Sequence, residues 1–84
     1  MRQECKVGML VRSLAGHDKT NIYVIMKADD AYVYLADGKI RKMNRLKKKK
    51  RKHIEILDKM CDVTELMNDT QIRKIIKELK KEEV

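Results

Sequence analysis

The residues best able to do chemistry stand in one run. Lys47-Lys48-Lys49-Lys50-Arg51-Lys52 sets six cations in succession and His53 closes them. Such a run repels itself and gains most from a polyanion, because every phosphate it contacts releases condensed counterions. Lys39, Arg41, Lys42 and Arg45 extend it, so that the stretch from Lys39 to His53 holds ten basic residues and no acidic one. Residues 1–38 carry five charges of each sign and residues 54–84 carry six basic against eight acidic, so the formal net charge of +8 originates in this single segment. A basic block can be no more than a solvated surface or an import-like patch. Here it follows directly on a series of strands that would present it as one face of a small domain, which favours nucleic acid.

Other constellations carry less. Cys5, Cys61, His17 and His53 have the residue types of a zinc site but none of its short paired spacings, so no metal is expected. The two cysteines, far apart in the chain, read as free thiols and not as a disulfide framework. Ser13, His17 and Asp18 invite a triad reading. As near neighbours in one loop, however, they lack the separately positioned orienter and oxyanion donors of acyl transfer, so no catalytic residue and no cofactor is expected. Tyr23, Tyr32 and Tyr34 are the only aromatic residues. Core packing is their first role, with Tyr34 stacked on an unpaired base as the alternative. So few aromatics disfavour a proline-peptide groove. The longest apolar run, Ala31 to Ala36, falls far short of the ~18 residues of a membrane span. The absence of Trp and Phe leaves nothing to anchor the basic run at a lipid surface. The opening residues are charged but lead into no apolar core of a secretory signal, so a cytoplasmic location is expected.

These side chains need a scaffold, and 84 residues with 43% apolar and 40% charged content make one small domain with one core. Val7 to Leu14 alternates as a half-buried strand. Leu14 to Asn21, with Gly16, Asp18 and Asn21, reads as a polar loop. Ile22 to Lys27 and Ala31 to Ala36 are β-branched and Tyr-rich runs joined at Asp29-Asp30, the pattern of a tight hairpin. Asp37-Gly38 is a type I′ signal, which predicts Lys39 to Met43 as a fourth strand, and His53 to Leu57 fits a fifth. Five short strands suggest a small barrel. Asn68-Asp69-Thr70-Gln71 has the form of a capping box, and Ile72, Ile75, Ile76 and Leu79 recur at helical spacing, so an amphipathic helix is predicted over about 69–81. The segment from Asp58 to Met67 is open between an irregular crossing and a helical turn. The domain reading is a barrel over residues 1–57, including the basic segment 39–53, and a C-terminal extension over 58–84.

The blocks Val7-Gly8, Ala15-Gly16-His17-Asp18-Lys19, Ile22-Tyr23-Val24-Ile25, Ala36-Asp37-Gly38-Lys39 and Lys47 to Lys50, in this order, resemble the KOW motif. The chain is similar to short bacterial KOW-domain proteins akin to large-subunit ribosomal proteins of that class, over roughly Val7 to Ile56. The resemblance implies a mainly β fold, an SH3-like five-stranded barrel of KOW type. Its loops, here with His17 and Lys19, and its basic edge would hold ribosomal RNA without catalysis. Two positions depart from the pattern: Thr20 stands where a second loop glycine is expected, and Leu46 where a proline often precedes the lysines.

Two readings follow. In the first, the chain is an RNA-binding protein, monomeric when free, associated with the large ribosomal subunit through ribosomal RNA and with ribosomal proteins as neighbours. It would recognise shape and backbone through His17, Lys19 and the basic residues between Lys39 and His53. In the second, it is a protein-interaction module whose partner docks on the C-terminal helix.

Overall fold

The computed structural model describes residues 5–16, 20–60 and 68–82. In chain order they form β1 Met9–Ser13, β2 Ile22–Ala28, β3 Tyr32–Ala36, β4 Lys47–Lys50, β5 Ile54–Met60 and α1 Asp69–Glu82, with a 3-10 turn at Arg51–His53 leading into β5. The strands pair antiparallel in the order β4-β3-β2-β1-β5 and curl into a half-barrel. The protein is mainly β, of small SH3-like barrel form with one C-terminal amphipathic helix, as expected.

Strand alternation buries both faces of this sheet. Val11, Tyr23, Ile25, Val33, Leu35 and Ile54 meet on the inner side of the curl, where β3 and β5 share one apolar cluster although two strands separate them in the sheet. Leu10, Ile22, Val24 and Ala36 point the other way and are covered by Ile72, Ile76 and Leu79 of α1. The sequence predicts β1 as half buried, yet Leu10 and Val11, on opposite faces, are both buried because α1 supplies the second layer. Helix and half-barrel therefore share one folding unit, and β5 runs to Met60, past the boundary expected at Leu57.

The helix begins as its capping signature predicts, with the Asn68 carboxamide oxygen accepting the Gln71 N–H at 2.9 Å. Asp69 in the first turn and Lys80 and Lys81 in the last complement the helix dipole.

The segment after β3 departs from expectation. Lys39 to Met43 is not a strand; the fourth strand is the lysine run itself. A type I′ turn needs positive φ at both central residues. Here Gly38 has φ 76° while Asp37 is not among the positive-φ residues. The Asp37 carboxylate instead accepts the N–H groups of Lys39 (2.8 Å) and Arg41 (2.9 Å), while the Arg41 carbonyl accepts the N–H groups of Asp37 and Gly38. These bonds take up amides that a ladder would need. The start of α1 then seals the loop: Asp69 Oδ1 accepts the Met43 N–H at 2.8 Å, and Arg73 donates to the Gly38 carbonyl at 3.3 Å.

Thr20 is the one non-glycine residue with positive φ (75°) among the described residues, and it occupies the position where a loop glycine was expected. Residues 17–19, with the expected site residues His17 and Lys19, and residues 61–67, with Cys61, lie outside the described residues.

Two substitutions with opposite outcomes test this backbone. A β-branched residue in the left-handed region costs about 1–2 kcal/mol, against roughly 0.5–1 for the extra unfolded-state freedom of glycine. Thr20→Gly should therefore raise stability by about 0.5–1 kcal/mol and Tm by ~4 °C. Gly38→Ala should lower stability by at least ~2 kcal/mol, because the new methyl keeps the positive φ and collides with the Asp69 carbonyl oxygen and the Arg73 side chain. Thermal melts of both variants check this. A Thr20→Gly variant that melts lower would show that the threonine hydroxyl makes a compensating contact.

Candidate nucleic-acid interface

The lysine strand is organised by what it pairs with. In the β3–β4 register Tyr32 faces Lys50, Val33 faces Lys49, Tyr34 faces Lys48 and Leu35 faces Lys47. Alternation therefore splits the run. Lys47 and Lys49 share the inner side with Leu35 and Val33 and are half-buried, while Lys48 and Lys50 project with the tyrosines and are exposed. Lys49 reaches from β4 to the β1–β2 loop, where its ammonium donates to the Ala15 carbonyl at 2.8 Å.

A third lysine joins the outer side through a backbone irregularity. In strict alternation Lys27 would follow Tyr23 and Ile25 to the inner side. A register shift between Ile25 and Lys27 places Lys27 opposite Tyr34 and lets Ala28 rejoin the inner cluster beside Val33. The result is a face on which cations and tyrosines alternate. Lys27 Nζ lies 5.4 Å from the centroid of Tyr34, and Lys48 Nζ lies 4.2 Å from that of Tyr32, both within cation–π range. The rings are half-buried and hold flexible ammonium groups over a rigid sheet. With cations over their faces, the tyrosines support lysine ammonium groups rather than stand as free stacking platforms. The sequence expectation of core packing for the tyrosines holds for Tyr23 alone, which is 3% exposed.

The Asp29 carboxylate sits beside this face and is hydrogen-bonded locally. Asp29 accepts the N–H groups of Tyr32 (2.7 Å) and Ala31 (3.0 Å) and the Tyr34 hydroxyl (3.3 Å). The Tyr32 amide, then the Ala31 amide, hold its pKa below the ordinary aspartate value. Partial desolvation opposes them, and the Tyr34 hydroxyl and the Lys48 charge add smaller effects in the same direction as the amides. Asp29 thus closes the β2–β3 hairpin and fixes the Tyr34 ring instead of neutralising a lysine.

Beside this face lies an open groove of about 520 Å³ lined by Tyr32, Lys50, Arg51 and Lys52 over Ile54 and Ile56, with the exposed Asp30 at its rim as an acid among these cations. Lys52 is exposed along it. Arg51 is folded back, donating from Nε to the Cys5 sulfur at 3.3 Å and from Nη1 to the carbonyls of Asp29 (3.2 Å) and Asp30 (3.4 Å). It braces the hairpin. His53 is half-buried, and its carbonyl accepts the Leu14 N–H at 2.9 Å. Ser13, the nucleophile of the discarded triad, is buried and donates its hydroxyl to the Ala15 carbonyl.

The basic segment, one patch in sequence, thus divides in space. Lys48 and Lys50 gather with Lys27 along the outer side of β3–β4, and Lys52 shares the adjoining groove with Lys50. Lys39, Arg41, Lys42 and Arg45 sit in the loop between β3 and β4, which α1 secures. Lys47, Lys49 and Arg51 are oriented inward or bonded to backbone. Sequence reasoning missed Lys27 and Tyr32. The alternation Tyr-Val-Tyr-Leu was a usable sign that both tyrosines share the face opposite the core, whereas the bulge that turns Lys27 outward has no sequence signal. No protein-family model matches this chain, and no curated protein matches it in sequence.

The bonds to Asp29 make the hairpin sensitive to acid. A carboxyl whose folded pKa lies below its unfolded value stabilises the fold above the unfolded value, near 3.9, and loses that contribution as pH falls through the folded one. The wild-type Tm should therefore fall more steeply between about pH 5 and pH 2 than that of Asp29→Asn, which carries no titrating group at this position. Parallel slopes for the two proteins would remove Asp29 as the source.

Proposed function

We propose that this chain is an RNA-binding protein that grips the phosphate backbone, with ribosomal RNA of the large subunit as its ligand, ribosomal proteins as neighbours and the cytoplasm as its location. It acts as a monomer when free and as a binder, not a catalyst. The observation that carries this reading is the outer side of β3–β4. Lys27, Lys48 and Lys50 alternate there with Tyr32 and Tyr34 on a hydrogen-bonded sheet, and the Asp29 carboxylate among them is engaged by the amides of Ala31 and Tyr32. The resemblance of the sequence blocks to the KOW motif supports RNA as the polyanion and the ribosome as its setting.

The mechanism is electrostatic and preorganised. Lysine side chains lose rotamer freedom when they bind, and those held over tyrosine rings have lost part of it in advance. Contacts to phosphate fix position and orientation without reading bases, so recognition is of backbone shape. The interaction-module alternative loses its docking stripe, since Ile72, Ile76 and Leu79 are buried against the sheet of the same chain.

The test uses cations that the fold does not need. Lys27, Lys48, Lys50 and Lys52 are exposed, whereas Lys47 and Lys49 are half-buried and would confound a substitution of the whole run. Changing the four exposed lysines to Gln should keep the melting transition within a few degrees. It should also flatten the dependence of log affinity on log salt by about 2.8 for single-stranded RNA or ~3.6 for a duplex, for unrelated sequences alike. Wild-type protein should cosediment with ribosomes at low salt and be released by high salt or nuclease. An unchanged salt slope in the variant rules this face out as the phosphate site.

A further inference from the structure

The second half of the basic segment has its own surroundings. The loop that carries Lys39 lies against α1, and a groove of about 720 Å³ opens between them. Lys39 and Ile40 form one lip; Lys74, Lys77 and Lys80 of α1 form the other. All four lysines are exposed, and among the described residues none has a carboxylate within ion-pair distance. Asp37, the one acid lining the groove, is engaged by the amides of Lys39 and Arg41.

The segment after β5 has a net negative formal charge, so the sequence shows no second basic surface. Folding creates one. With Ile72, Ile76 and Leu79 turned into the core, the spacing of Lys74, Lys77 and Lys80 brings the helix lysines to one exposed side, and the loop adds Lys39 across from them. Three residues per step along a helix place these lysines over a row of roughly 9 Å. Such a row is too long for one phosphate and suits consecutive phosphodiesters. The two walls are fixed to each other by the bonds from Met43 to Asp69 and from Arg73 to Gly38, so the groove exists before any ligand arrives. Ile40, 81% exposed between Lys39 and Arg41, offers the lip an apolar surface that a ribose ring can cover.

We propose that the groove between α1 and the loop carrying Lys39 is a second phosphate-backbone site, which holds another stretch of the RNA bound by the β3–β4 face. The inference rests on the RNA-binding reading and extends it from one surface to two. Two linked sites on one ligand raise affinity by effective concentration without any new contact at either site.

The experiment compares wild type, the variant with Gln at Lys39, Lys74, Lys77 and Lys80, and the variant with Gln at Lys27, Lys48, Lys50 and Lys52. Each is titrated with one RNA duplex by fluorescence anisotropy across a salt series. Arg73 is left intact because it latches loop to helix. The groove variant should lose about 3.6 from the salt slope, so that between 50 and 200 mM salt its affinity falls ~150-fold less than that of wild type. Combining the eight substitutions should sum the two losses, and Arg at the four groove positions should retain the slope. If the groove variant keeps the wild-type slope while the β3–β4 variant loses its share, the second site is refuted and the RNA reading stands, leaving the groove to an acidic protein partner. If wild type binds no RNA, both readings fall.

Discussion

Lysine is a poor strand former, and four in succession repel one another, yet Lys47–Lys50 is held as a strand by its ladder to Tyr32–Leu35. That pairing is the constraint on which the lysine–tyrosine face depends. Because side chains alternate, it allows only every second lysine to face outward, and because β3 reads Tyr-Val-Tyr-Leu, those that do so emerge among tyrosines. The same strand ends the sheet. An edge rich in lysine resists pairing with a second copy of the chain, so the residues that would attract a polyanion also protect the fold from edge-to-edge aggregation. The inward lysine at position 49 and Arg51 end on backbone carbonyls, which ties the edge strand to the loops at its side.

How much of this was legible in the sequence depends on the range of the interaction involved. The strands at Ile22–Ala28 and Tyr32–Ala36 and the helix from Asp69 follow from local alternation, helical spacing and an Asn cap, and sequence reading places them within a residue or two. The strand predicted from Asp37-Gly38 fails because a local signal met a tertiary competitor. Asp37 satisfied nearby amides with its side chain, and the N-terminus of α1 came down on Gly38. A turn dipeptide cannot announce that a helix some thirty residues later will occupy the space above it. The bulge before Lys27 and the division of one basic segment into two surfaces have the same origin in long-range pairing.

The helix links these features. Without it, Leu10, Ile22, Val24 and Ala36 would form an exposed apolar face on a sheet whose other side is already packed. Covering that face orients α1, and its orientation decides which helix residues remain outside. Contact between its first turn and the Asp37–Met43 segment then holds that loop in place. Gly38 is the point where loop and helix touch, and its missing side chain is what permits the contact.

A surface of this charge raises the question of what keeps it folded. Each exposed lysine is screened by salt and interacts weakly with its neighbours at physiological ionic strength, so repulsion among them costs far less than the apolar burial on the two faces of the sheet provides. The cations are therefore a burden the core tolerates, not a source of stability. A ligand reverses that relation. A polyanion that binds the folded chain more tightly than the unfolded one shifts the equilibrium toward the fold by mass action. The preference for the folded chain comes from arrangement, because only folding sets Lys27 and Lys48 on either side of Tyr34 and Lys39 across a groove from Lys74. An unfolded chain carries the same net charge but holds its cations at fluctuating separations. The geometry set by the β3–β4 register and by the seat of α1 is thus what would turn a general attraction for phosphate into recognition of a backbone of defined shape.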